Sequence, residues 1–511
     1  MNAAVRVLAP LLGALLLGAC ASGPLPRGEP TSALPIGADT RLDLAVDSLA
    51  LAAGESGYRL VKGNEDAFAL RIRSASIAER SVDAQYYMWH DDLTGRLIAG
   101  ELFDAAQRGV RVRVLLDDLY ARGLDQSLAN VDAHPNLEIR LFNPFRTRAS
   151  VLGNTLEFFA TLGLKNRRMH NKLWIADSRL AVVGGRNIGD EYFGAHDELD
   201  FGDLGVLLVG AAAVAASQQF DEYWNSAAVV PLAAFAKASD ATAAVAAAQA
   251  AFAAHRSAAA ASEYVERLRK LHAEGEIGLQ LHTLGRGRGV RMVSDDPAKA
   301  FGGDPPLRML DEVRGLLGSA KREAVLISSY FVPMRKGADT LIGMQRRGVE
   351  VRVLTNSLAA NDVAAVHGGY SKWRRPLLRA GVHIHELKPI RGASQEGPLG
   401  SSRASLHTKA MVVDGRLAYV GSFNMDPRSA RINTEGGVVI DDPAFAAQVR
   451  AQYEQAIDPA RSWRVALAAG QLRWHDVHDG QPRVFTGEPE ADGSRLFTAW
   501  MFRLLPLDSQ L

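Results

Sequence analysis

The 511-residue chain has a single cysteine, Cys20. One thiol excludes any internal disulfide, so the fold must hold by packing and hydrogen bonding alone. Net charge is almost absent as well: 58 Lys and Arg stand against 57 Asp and Glu. Proteins that grip duplex nucleic acid usually carry a basic excess, and its lack argues against that partner class. Nor does the amino-terminal apolar run, Val7–Leu17, reach the length needed to cross a bilayer. What is present is an ordinary globular composition, 47% hydrophobic and 23% charged, over a length that suits two or three domains.

The first twenty residues, "MNAAVRVLAPLLGALLLGAC", read as a signal peptide. One early charge, Arg6, precedes a short apolar core, then small Gly18 and Ala19, then Cys20. The segment "LGAC" resembles the lipobox of bacterial lipoproteins, which implies that Cys20 becomes the acylated first residue. Ala21 rather than Asp after it implies, by the same resemblance, the outer membrane, facing the periplasm. Loss of Arg6 would leave basic and acidic residues equal in number. Residues 21–40 are rich in Pro, Gly, Ser and Thr without an apolar period, and are expected to form a flexible tether.

The rest is a duplication. "RMHNKLWIADSRLAVVGGRN" from Arg168 and "SLHTKAMVVDGRLAYVGSFN" from Ser405 share one pattern. In each, a His is followed by Lys two residues on, Asp five further, and an Asn seventeen past the His. "RGVRVRVLLDD" and "RGVEVRVLTNS" match as well: Gly109 and Gly348 lie 239 residues apart, His170 and His407 237 apart. Each half reads strand, helix, strand, then the paired motif, which predicts an α/β fold with a largely parallel sheet. The boundaries follow: signal peptide 1–20, tether 21–40, first domain 41–235, an Ala-rich helical connection 236–300, second domain 301–460 and a tail 461–511. In the tail, Phe497, Trp500, Met501, Leu504 and Leu505 fall at helical spacing and are expected to cap the core.

Alternate residues of a strand share a face, so His170 and Lys172, and likewise His407 and Lys409, point the same way. Asp414-Gly415 is a hairpin signal, which makes Asp414 and its counterpart Asp177 turn residues rather than catalysts. Gly184 and Gly421 suit close backbone approach at the end of the return strand. Asn187 and Asn424 join the lysines as donors for an anionic oxygen. One His–Lys–Asn cluster is half of a phosphodiester site; two facing clusters would let one His attack phosphorus and the other protonate the leaving oxygen. Each His needs a carboxylate to orient it, and each half offers one: Asp203 and Glu435.

These motifs resemble the duplicated HxKxxxxD and GSxN signature of the phospholipase D superfamily, and in detail its bacterial cardiolipin synthase branch of the C type. The resemblance implies two homologous α/β/α domains about a pseudo-twofold axis, one shared metal-free site and a phosphohistidine intermediate, with His170 favoured as nucleophile. It assigns catalysis to His170, Lys172, Asn187, Asp203, His407, Lys409, Asn424 and Glu435. It assigns phosphate binding to Ser422, Gly185 and Arg186, with Gly185 standing where the second copy has Ser422. It implies no cofactor, phospholipid partners (phosphatidylglycerol, with phosphatidylethanolamine as a further candidate) and no nucleic acid.

Three functions compete: a lipid phosphatidyltransferase or phospholipase, a nuclease of the same superfamily, and a non-catalytic envelope lipoprotein. Arg167, Arg168, Arg428 and Arg431 flank the motifs and would serve any phosphate substrate. Asp117-Asp118 and the "HDELD" at His196 concentrate carboxylates, but turn use is favoured over metal binding. Trp89 of "WHDD" is expected in aromatic packing or at the edge of a lipid cleft.

Overall fold

The computed structural model describes residues 25–146, 162–196, 201–302, 305–389 and 405–504. Cys20, the signal peptide and Leu505 lie outside them. Among the described residues no helix is long and apolar enough to cross a membrane.

The β-branched runs form the centre of two sheets with one shared plan. In the first half the neighbours run Gly205–Gly210, Leu180–Gly184, Lys172–Ala176, Ser81–Tyr86, Arg111–Asp117, Leu137–Phe142. The second half repeats this as Gly436–Asp441, Leu417–Gly421, Lys409–Val413, Glu323–Ser328, Glu350–Asn356, His383–Leu387. The α/β class and the duplication are as expected, but the sheets are mixed rather than largely parallel. Within these two sheets, among the described residues, only Ser81–Tyr86 with Arg111–Asp117, Arg111–Asp117 with Leu137–Phe142, and their second-half counterparts pair in parallel. The motif hairpin and the strand after it join antiparallel. Two strands joined by a tight turn can pair with each other only in that sense, whereas a helical crossover permits parallel pairing.

The two sheets meet directly where Leu180–Gly184 and Gly205–Gly210 pack on Leu417–Gly421 and Gly436–Asp441, and the helices Ala211–Trp224 and Pro443–Ala456 each touch strands of both halves. Their central core is common to both halves: Leu173, Val183 and Phe220 pack in one cluster with Val325, Val412 and Val449. Burying a large apolar side chain contributes ~1.5–3 kcal/mol, so this shared layer also fixes how the halves meet.

Three sequence expectations need adjustment. From Leu25 the tether segment lies against the first half: Arg113 donates to Thr31 O at 3.0 Å and Trp224 to the Thr31 hydroxyl at 2.9 Å. The tail begins with three strands, Ser462–Ala468, Gln471–His478 and Gln481–Phe485, which extend the second sheet. Its helix Gly493–Leu504 docks through buried Ala499 beside Gly368, a position where a Cβ would touch Ala499 O at 2.5 Å. Phe497, Trp500 and Leu504 face outward, because Gly368 admits only a small residue on the docked side.

Candidate active site

Each motif hairpin turns on two residues in the left-handed region, Asp177 and Ser178 at φ 51° and 57°, Asp414 and Gly415 at 53° and 68°. Asp tolerates that region because its short side chain bonds locally. Here each carboxylate reaches across to the start of the adjacent strand. Asp177 accepts from the N–H groups of Glu79, Arg80 and Ser81 at 3.0, 2.8 and 2.9 Å. Asp414 accepts from Lys321, Arg322 and Glu323 at 3.0, 2.7 and 3.0 Å. The hairpins return to Gly184 and Gly421, where a Cβ would overlap Leu204 O and Gly436 O.

At the other end of the hairpins the halves interlock. His170 N donates to Thr434 O and Thr434 N to Arg168 O, both at 2.9 Å. In the second half Ser405–Leu406 pairs in parallel with Phe201–Gly202, and His407 N donates to Gly202 O at 2.9 Å. Each motif is thus laced to the segment that carries the other half's carboxylate. The carboxylates are exchanged: His170 Nδ1 lies 2.8 Å from Glu435 Oε2, and His407 Nδ1 lies 2.6 Å from Asp203 Oδ2. The carboxylates are sealed, 0% and 1% exposed, while the imidazoles keep an edge, 12% and 13%. With Nδ1 engaged, Nε2 is the nitrogen left to react.

Lys172 Nζ donates to His170 O at 2.5 Å, and Lys409 Nζ donates to His407 O. Burial pushes the His170 imidazole down to about 4, with Glu435 pulling upward and Lys172 and Lys409 pushing further down. His407 falls to about 3, again by burial first and then by Lys409 and Lys172 against Asp203. Lys172 drops to about 7 and Lys409 to about 8, burial outweighing the nearby carboxylates. Burial alone would raise Glu435 and Asp203, but their His partners and the lysines hold both below the ordinary carboxylate range. Two neutral imidazoles therefore sit against two carboxylates, and each lysine acts on the histidine of the other half. The four cationic or basic side chains share one site.

Asn187 and Asn424 hold equivalent positions. The Asn187 carbonyl accepts from Met88 N at 3.3 Å while its amide donates to Tyr192 OH at 2.9 Å. The Asn424 carbonyl accepts from Ser329 Oγ at 2.9 Å and from Tyr330 N at 3.5 Å.

The expected phosphate binders have other partners. The Ser422 hydroxyl donates to Glu435 Oε2 at 2.5 Å and so steadies the carboxylate. Gly185 is glycine for a local reason: a Cβ there would lie 2.5 Å from Asp203 Oδ2. Asp203 is one methylene shorter than Glu435, and its carboxylate fills the space that the Ser422 side chain fills in the other half. Arg186 is buried and donates to Val61 O at 3.2 Å, Lys62 O at 2.7 Å and Asn64 Oδ1 at 2.9 Å, tying the first half together. The flanking arginines act likewise across the halves: Arg167 donates to Lys299 O and Arg431 O at 3.1 Å, Arg428 to Asn166 O at 2.9 Å.

Sequence reasoning missed a supporting layer. Asp117 Oδ2 accepts from Met169 N at 2.8 Å and Oδ1 from Arg168 at 3.0 Å; burial lifts its pKa to about 6 despite Arg168. At the matching strand end Asn356 accepts from Leu406 N at 3.0 Å and donates to Leu406 O at 2.9 Å. Both grip the residue before the motif His. The signal was in the aligned strands, "VLLD" against "VLTN". Ser429 donates to Glu435 Oε1 at 2.8 Å, and Asp295, paired with fully buried Lys299 at 2.7 Å, accepts from Glu435 N at 3.1 Å. Tyr87 and Tyr192 each set a ring edge against a motif His, at 5.2 Å from His170 and from His407.

Among the described residues, His90, Asp92 and Glu191 are the group spaced for a metal ion. All three have partners: Asp92 accepts from Gly95 N and Asp190 N at 2.9 and 2.8 Å, and His90 Nδ1 lies 3.2 Å from Glu191. Asp118 accepts from Phe145 N at 2.9 Å, and most of "HDELD" lies outside the described residues.

Two homologous domains that lend each other a carboxylate over paired His–Lys motifs define a duplicated phosphodiester-processing enzyme. The chain belongs to the phospholipase D-like family described as "Cardiolipin synthase, PLD-like domain", matched over residues 71–224 and 313–457. It is 40% identical over 470 residues to "Cardiolipin synthase C" of Escherichia coli (strain K12), covering 89% of this chain and 96% of that one. It is 25% identical over 444 residues to "Cardiolipin synthase" of Staphylococcus aureus (strain N315), covering 86% and 74%. In fold it is similar to a phosphatidylserine synthase from Haemophilus influenzae Rd KW20: TM-score 0.56, 15% identity, 87% of this chain and 92% of that one.

Proposed function

We propose that this phospholipase D-superfamily phospholipid synthase makes cardiolipin by transesterification through a phosphohistidine. The observation that carries the reading is the reciprocal pairing of His170 with Glu435 and His407 with Asp203. In the first step His170 Nε2 attacks phosphorus, the bond from phosphorus to the headgroup oxygen breaks, and His407 gives that oxygen its proton. An anionic phosphodiester beside His407 offsets the lysine charge and raises the imidazole's proton affinity, which suits it to this role. In the second step His407 takes the proton of a glycerol hydroxyl of phosphatidylglycerol, whose oxygen attacks phosphorus and releases His170. Lys172, Lys409, Asn187 and Asn424 stabilise the phosphate oxygens as charge develops. Ser422, Ser429 and Asp295 position Glu435, and Asp117 and Asn356 position the two motif segments.

The relatives named cardiolipin synthases support this product, and the resemblance to that branch suggests phosphatidylglycerol as acceptor with phosphatidylethanolamine as a candidate donor. Acylation of Cys20 would hold the enzyme on the outer membrane facing the periplasm, where a lipid alcohol at high local concentration competes with water for the intermediate. The test uses the mature chain with vesicles of each lipid alone and mixed. Cardiolipin as product supports the reading, and dependence on both lipids identifies the second donor. Phosphatidic acid as sole product would make the protein a phospholipase, and inert lipids with cleaved DNA would make it a nuclease.

A further inference from the structure

A cavity of about 500 Å³ lies inside the first half. It is bounded by the helices Leu93–Gln107 and Asp125–Asp132, the strands Arg111–Asp117 and Leu137–Phe142, and the connection helix Ala241–Ala259. Its volume is in the range of small-ligand sites. The walls are largely aliphatic or aromatic: Leu102, Val114 and Ile139 are buried, and Leu128, Val131 and Phe252 half-buried. Polar groups at its edge have partners of their own. His255 Nε2 is 3.1 Å from Leu93 O, Asp91 takes Arg96 at 2.6 Å, and Asp117 holds Met169 N. The walls thus favour an apolar guest over a polar one.

The cavity adjoins the reacting groups. Tyr87 lines it and sets its ring 5.2 Å from the His170 ring and 5.1 Å from that of Tyr120, a half-open residue at the same edge. The space arises from an asymmetry between the halves. The crossover after the second parallel strand carries the eight-residue helix Asp125–Asp132 in the first half but the sixteen-residue helix Ala364–Arg379 in the second, which buries Tyr370 and Leu377. The Ala-rich connection helix roofs the gap with small side chains, Ala247, Ala248 and Ala251.

We propose that this chamber receives one acyl chain of the phospholipid whose phosphate lies at the His170–His407 pair, with the connection helix setting how long a chain fits. The proposal rests on the phospholipid reading above. An unfilled apolar volume forfeits contacts, and each methylene that enters is taken from water, so affinity should grow with chain length until the chamber is full.

The probes are single-chain n-alkyl phosphates of increasing length, below their micelle concentrations, titrated calorimetrically into the mature full chain. Affinity should rise roughly fourfold per methylene and then level off. Ala248→Phe fills the buried wall and risks the fold, so Ala251→Phe, at the more exposed rim of the helix, is the working variant. It should level off several methylenes earlier and leave butyl phosphate binding unchanged. A flat length dependence in the wild type, or one identical in Ala251→Phe, overturns the chamber. If phospholipids are turned over with that identical profile, the chamber alone fails. If length-dependent binding is seen while no phospholipid reacts, the chamber stands and the synthase reading fails.

Discussion

His170 is oriented by Glu435, a residue 265 positions further along and in the other half of the duplication, at 2.8 Å. His407 is oriented by Asp203, 204 positions earlier, at 2.6 Å. Neither half therefore owns a complete His–carboxylate pair. The interlocked backbone at Thr434 and Gly202 makes the exchange possible, and it makes the site depend on the interface itself.

Glu435→Gln keeps the shape of the side chain and removes its charge. His170 then loses the partner that fixes its tautomer and stabilises the imidazolium that forms. Steady-state kcat should fall by about 10²–10⁴, the range for general acid–base contributions. Asp203→Asn should do the same through His407. His170→Ala and His407→Ala should each abolish turnover, and adding Glu435→Gln to His170→Ala should cost nothing more, because the pair acts as a unit. A folded Glu435→Gln enzyme with unchanged kcat would sink the pairing as a catalytic device.

Gly185 and Ser422 separate two roles for the GSxN-type segment. In Gly185→Ala the new Cβ meets Asp203 Oδ2 at 2.5 Å, so the carboxylate must move off His407. In Ser422→Ala, Glu435 loses a donor at 2.5 Å. Both changes should lower kcat while leaving KM nearly constant. If Ser422 held substrate phosphate instead, Ser422→Ala would raise KM, and that result would restore the phosphate-binding role.

The duplication was legible because a constant offset of 237–239 residues leaves little to chance, and the motif strands, the turn at Asp414 and the family followed from it. Asp203 and Glu435 were found as carboxylates, but their exchange was not, because spacing along a chain says nothing about which half a residue faces. The partners of Ser422 and Arg186 were hidden for a related reason. A hydroxyl or guanidinium beside a catalytic motif looks available for phosphate until its buried partners are known. Asp117 and Asn356 differ in charge, so their common grip on the residue before each His was hidden. The antiparallel majority in each sheet was implicit in the hairpins, but the helical crossovers dominated the pattern.

The lysines set the alkaline limit. Burial pushes Lys172 to about 7 and Lys409 to about 8, so their charge is present below those values and lost above them. Since kcat/KM reports the free enzyme, its pH profile should begin to fall near neutrality and fall further through pH 8. The limb belongs to the coupled cluster rather than to one residue. Lys409→Arg keeps its charge throughout and should shift the later part of the fall upward in pH, at some cost in rate from altered geometry. A profile flat well above the Lys409 value would show that these charges do not carry phosphate binding.

Asp414 tests whether the last residue of HxKxxxxD belongs to chemistry or to folding. Its carboxylate accepts from three backbone N–H groups at 2.7–3.0 Å, far from the imidazoles along the hairpin. Asp414→Ala hands those donors to water and should cost about 0.5–1.5 kcal/mol of stability. Asp414→Asn keeps the left-handed turn at φ 53° and should cost less. Burial alone would raise the Asp414 carboxyl, but the N–H groups of Glu323, Arg322 and Lys321 prevail and lower it. The folded state then binds the proton more weakly than the unfolded chain. The stabilisation is complete above the unfolded value of about 3.9 and is lost as pH falls through the native one. Denaturant midpoints of wild type and Asp414→Asn should differ at neutral pH and converge only as pH falls below the native Asp414 value, where both side chains are neutral. Well below the melting temperature the variant should retain wild-type kcat, and a large loss of kcat in fully folded protein would assign Asp414 to the reaction instead.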